Sequence, residues 1–126
     1  MYRKITQYLL DWKESPYRRP LILQGARQVG KTYTLLEFGK AHYENVAYFN
    51  FETNPSLARA FDESLEPGYL VPLLSRLAGQ SIVTEKTLVI FDEVQLCERA
   101  LTSLKYFCEL APAYHVIACG SLLGVG

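Results

Sequence analysis

Residues 21–32, Leu21-Ile22-Leu23-Gln24-Gly25-Ala26-Arg27-Gln28-Val29-Gly30-Lys31-Thr32, decide how the rest of this chain is read. An apolar stretch runs into a segment that fits G-x-x-x-x-G-K-[ST], the loop that wraps a nucleoside triphosphate. Gly25 and Gly30 let the backbone turn tightly and approach oxygens, because no Cβ intervenes. The amides of Gly25, Ala26, Arg27, Gln28, Val29 and Gly30 would then point inward at phosphates, at a helix N-terminus whose dipole favours anions. Lys31 would reach the β- and γ-phosphates, and the Thr32 hydroxyl would ligate Mg²⁺. Arg27 either contacts phosphate or points to solvent. The bland alternative is a glycine turn that happens to precede a helix. The motif demands a strand before it and a helix after it, and both are predicted.

Working outward, Tyr2, Ile5, Leu9 and Trp12 recur at three- and four-residue steps and predict an amphipathic helix over 2–13, stopped by Ser15-Pro16. A second helix is expected over 31–40, with Gly39 weakening its end. Residues 45–51, β-branched and aromatic, predict the second strand. A helix should start at Asn54-Pro55 and run through Phe61, with Pro67-Gly68 separating it from another over 70–77. Thr87 to Phe91 is continuously apolar, as in a strand buried on both faces. Leu96, Ala100, Leu101, Leu104, Phe107 and Cys108 mark the inner stripe of a further helix, and Tyr114 to Ala118 gives the last strand. Alternating strands and helices imply a parallel sheet with helices on both faces.

The run Leu88-Val89-Ile90-Phe91-Asp92-Glu93 partners the glycine loop. A carboxylate at a strand's C-terminal end sits where ligands bind in open α/β sheets. Asp92 would hold Mg²⁺ through water, opposite Thr32, and Glu93 would orient the water that attacks the γ-phosphate or accept its proton. Two exposed acids at a strand end are the alternative for this run alone; with the glycine loop that reading loses its force. Asp92 is followed by Glu93-Val94-Gln95, not D-x-x-G, and no N-K-x-D is present, which argues against a GTPase. An ATPase with an additional strand between the two motifs fits better. Ser121, after the fourth strand, would feel the γ-phosphate, and Gly120 would allow close approach. Gln95 either faces the site or is a polar residue at a helix start.

Composition agrees with one globular domain of 126 residues, 49% hydrophobic and 21% charged. No apolar run approaches a membrane span and the N-terminus lacks a secretory pattern, so a cytoplasmic protein without membrane attachment is expected. Cys97, Cys108 and Cys119 lack C-x-x-C spacing and read as reduced, buried thiols. His42 and His115 read as solvated or packed. Net charge is zero, but residues 1–40 carry eight Lys/Arg against three acids and the remainder five against ten. A basic lobe suits a phosphate site and is weak evidence for nucleic-acid binding.

R-R-P-L-I-L-Q-G-A-R-Q-V-G-K-T, Y-F-N-F-E, L-V-I-F-D-E-V-Q and G-S-L-L-G-V together resemble an AAA-type ATPase family of bacteria and archaea. In that family the ATPase domain is joined to a C-terminal domain of unknown function. The resemblance implies an α/β P-loop NTPase fold of the additional-strand class, three layers about a parallel sheet, with ATP and Mg²⁺ as cofactors. It carries Lys31, Thr32, Asp92, Glu93 and Ser121 into the roles already described. A full core of this kind also has a fifth strand beside the first, a helical lid and usually an arginine from a neighbour in an oligomer. The chain to Gly126 contains none of these. The expectation is therefore a single incomplete domain over 1–126, core 20–126, truncated after the fourth core strand, with the first strand at an open edge. Its function would be Mg-dependent ATP hydrolysis coupled to an attached domain or protein partner; the alternative is a nucleotide-dependent switch that hydrolyses little.

Overall fold

The computed structural model describes residues 2–24 and 31–121. Four strands and four α-helices alternate: α1 Tyr2–Glu14, β1 Leu21–Gln24, α2 Lys31–His42, β2 Asn45–Asn50, α3 Pro67–Ala78, β3 Thr87–Asp92, α4 Glu98–Leu110 and β4 His115–Gly120. The strands pair in parallel in the order β1-β4-β3-β2. Thus β4 lies between the strand before the glycine loop and the strand carrying Asp92, as the additional-strand class requires. All six residues of β3 and all six of β4 are buried, which follows from their central places and explains the apolar runs Leu88 to Phe91 and Val116 to Cys119.

The pleat sorts side chains into two cores. On one face Leu88, Ile90, Ile117 and Cys119 pack against Leu9 of α1 and Leu35 and Phe38 of α2. On the other, Val89, Phe91, Val116 and Ala118 meet Phe61, α3 and α4. Phe91 is the hub of the second core, with edge-to-face contacts to Phe49, Phe51 and Phe61. The N-terminal helix is tied down by polar contacts as well. Trp12 Nε1 donates to the carbonyl of Arg19 at 2.7 Å, and the Arg18 guanidinium donates to the carbonyls of Lys13 and Pro112.

Several local expectations change. Gly39 does not weaken α2, which continues to His42; it is buried, and a Cβ there would collide with Val46 and lie 3.2 Å from Leu88 Cδ2. Close helix–sheet approach, not backbone freedom, explains that glycine. Residues Pro55–Phe61 form a 3-10 helix rather than an α-helix. Pro67 begins α3 instead of preceding it, because its fixed φ suits the first helical position. The end of α3 is closed by Gly79 in the left-handed region at φ 71°, its N–H returning to the last turn. Leu96 is 56% exposed in a short 3-10 turn, Val94–Leu96, and so drops out of the inner stripe of α4. No described helix is long and apolar enough to cross a membrane. Of the free cysteines, Cys97 and Cys119 are buried and Cys108 is partly exposed.

Candidate nucleotide site at the C-terminal end of the sheet

Strand register brings the predicted residues to one end of the sheet. Gln24 pairs with Gly120, and Asp92 pairs with Cys119 on one side and Asn50 on the other. The chain therefore leaves β1 level with Gly120-Ser121 and one strand away from Asp92. The loop residues Gly25, Ala26, Arg27, Gln28, Val29 and Gly30 lie outside the described residues. Lys31 and Thr32 open α2, so their backbone amides belong to the helix's unsatisfied first turn.

Asp92 is the centre of the polar contacts. It is only 5% exposed, so its oxygens need protein partners. Oδ2 accepts from the Thr32 hydroxyl at 2.8 Å and from the Tyr48 phenol at 2.5 Å. Oδ1 accepts from the backbone N–H of Glu93 at 2.9 Å and from the Cys119 thiol at 3.2 Å. Burial, then the hydrogen bond to Asp92, pushes the Tyr48 phenol well above its ordinary value. Burial, then the charge of Asp92, does the same to Cys119. Both groups therefore hold their protons and act as donors. Asn50 completes the shell: its Nδ2 donates to the Tyr48 oxygen at 3.1 Å while its Oδ1 accepts from the N–H groups of Glu52 and Thr53.

Glu93 follows at once, with its backbone in the left-handed region at φ 53° and ψ 45°. That conformation is unfavourable for a residue with a Cβ. It turns the chain out of the strand, which is how two adjacent acids escape the alternation of a pleat. The Glu93 carboxylate accepts from Gln95 Nε2 at 2.7 Å. Ser121 is half-buried one residue past β4.

The donor set suits a small hard cation. The Thr32 hydroxyl turns its proton to Asp92, which leaves its oxygen lone pairs available. A hydroxyl and one carboxylate are the oxygen ligands that Mg²⁺ takes when it also keeps waters and phosphate oxygens.

Tyr48 and Asn50, quoted above only as part of Y-F-N-F-E, and Cys119, read only as a buried thiol, had no role assigned at the site. They share the face of the sheet that carries Asp92, at matching register, so the parity of strand positions would have found them once β2, β3 and β4 were known to be neighbours.

Sheet order, the succession of β1 and α2 and the acid at the end of β3 define an α/β P-loop NTPase fold of the AAA type. The chain belongs to the AAA domain family, whose model matches residues 17–125. Among solved structures it is similar to "Structure of C. elegans PCH-2", with a TM-score of 0.52 and 20% identity. That match covers 98% of this chain and 37% of the other, so this chain spans little more than a third of that length. At this identity the likeness speaks for the fold alone. No curated protein matches the sequence.

Proposed function

We propose that this chain is an ATPase domain that binds Mg-ATP at residues 25–32 and hydrolyses it. The observation that carries the reading is the 2.8 Å hydrogen bond from Thr32 to Asp92. It joins the end of the glycine loop to the acid of β3 across 60 residues of sequence. In this account the amides of 25–30 cradle the phosphates, and Lys31 offsets charge on the β- and γ-oxygens. Thr32 and Asp92 hold the cation, Asp92 through water. Magnesium, when bound, neutralises the charge that develops as the γ-phosphoryl group transfers. Glu93 accepts the proton of the attacking water as the bond from the γ-phosphorus to the bridging oxygen breaks, giving ADP and phosphate. Ser121 faces the γ-phosphate. The released energy would pass to an attached domain or partner, and a neighbouring subunit would supply an arginine.

Single-turnover hydrolysis tests this. Glu93→Gln should bind Mg-ATP like the wild type yet lower the rate by about 10²-fold or more, the usual worth of a general base. Equal rates in the two proteins would overturn the assignment.

A further inference from the structure

Gln95 does more than begin a turn. Its side chain is wedged between two parts of the site. Nε2 donates to Glu93 Oε1 at 2.7 Å, and this bond settles which end of the amide is which, since the reverse would set two acceptors together. Oε1 then faces β4, fully buried, and accepts no hydrogen bond among the described residues. A buried carbonyl oxygen without a donor is costly, so an apolar side chain would fill this space better. The polar residue is accounted for by its bond to Glu93.

Gly120 lies on the other side of this amide. A Cβ there would run into Gln95 Oε1 and lie 3.2 Å from Gln95 Cδ. Gly79 is the described glycine in the left-handed region, and Gly120 is not. Glycine at 120 therefore makes room for the amide rather than serving the backbone. The residue after it is Ser121.

We propose that Gln95 is the positioning residue for Glu93. Its amide, lodged against Gly120, fixes the Glu93 carboxylate relative to the end of β4 and leaves Oε2, which has no partner among the described residues, for the attacking water. This inference rests on the ATPase reading above. It concerns orientation, so its loss should fall on the chemical step and spare nucleotide binding.

The test is single-turnover and steady-state hydrolysis on the 126-residue chain, with nucleotide affinity and thermal melting measured alongside. Gln95→Ala should lower kcat about tenfold or more while KM and affinity stay within about twofold, since misplacement of a catalytic group acts on the bound state. Gly120→Ala should reproduce the loss by evicting the amide. Once Gln95 is alanine, Gly120→Ala should cost nothing further, and in a Glu93→Gln background Gln95→Ala should cost nothing further. If Gly120→Ala does not fold, the Glu93/Gln95 pair of variants still decides the matter. Gln95→Ala at the wild-type rate, or losses that multiply independently, would overturn the role of Gln95. Glu93→Gln at the wild-type rate, or a wild type that turns over no ATP, would overturn the ATPase reading and this inference with it.

Discussion

Asp92 shows how one buried carboxylate can organise a site. Four donors from four separate places in the chain, Thr32, Tyr48, Glu93 and Cys119, meet its two oxygens. Three of those donors belong to the sheet or the turn after it, so the protein's own groups hold the carboxylate in place. Tyr48→Phe deletes one donor to Oδ2 and leaves Thr32 as its remaining donor among the described residues. Loss of this hydrogen bond should cost about 1–2 kcal/mol of stability. On the proposed function it should also raise the Mg²⁺ concentration needed for half-maximal ATP binding, because a less restrained Asp92 would hold the cation less well. Denaturant melts and a Mg²⁺ titration check both; an unchanged Mg²⁺ requirement would remove Tyr48 from the account.

Thr32, Asp92 and Glu93 were legible in the sequence because each belongs to a spaced motif. Tyr48 and Cys119 were not, since their relevance depends on which strands are neighbours. Gln95 was ambiguous for another reason: its partner Gly120 lies 25 residues away in sequence, and only contact shows what the glycine is for.

At the scale of elements, the strands were the most readable part, because a strand buried on both faces leaves a continuous apolar run. Helix ends and short turns are less readable. Pro67 and Gly68 look like a break in sequence, yet Pro67 serves as a helix start. Leu96 looks like a core residue by spacing, but the left-handed Glu93 resets the phase of the chain before α4 begins.

The other end of β4 carries a further consequence. His115 is 3% exposed, its Nδ1 is 2.6 Å from the Tyr43 hydroxyl, and Trp12 meets it edge-on. Burial first, then the charges of Arg18 and Lys13, lowers its pKa from 6.5 to about 4. The unfolded chain therefore binds a proton that the folded chain refuses between those values. Stability should be full above pH 6.5 and fall as pH drops toward 4, by up to on the order of 3 kcal/mol. Denaturant midpoints measured across this range should slope downward in the wild type and flatten in His115→Gln, even if that variant is weaker throughout. An identical slope in both would refute this linkage.

For the whole molecule, the placement of β4 between β1 and β3 is the decisive architectural fact. It puts Gly120-Ser121 level with the end of β1 and beside Asp92, so three distant segments converge at one end of the sheet. Parallel pairing, two-faced burial and the family's match over 17–125 agree on one architecture. The central claim is that this convergence is a magnesium-dependent ATP site with Lys31 on the phosphates. The direct measurement is a titration of Mg-ATP against the wild-type chain and Lys31→Ala, with folding of both verified by thermal melting. Saturable binding by the wild type and its loss in Lys31→Ala is the predicted result; equal affinity in two folded proteins would contradict it.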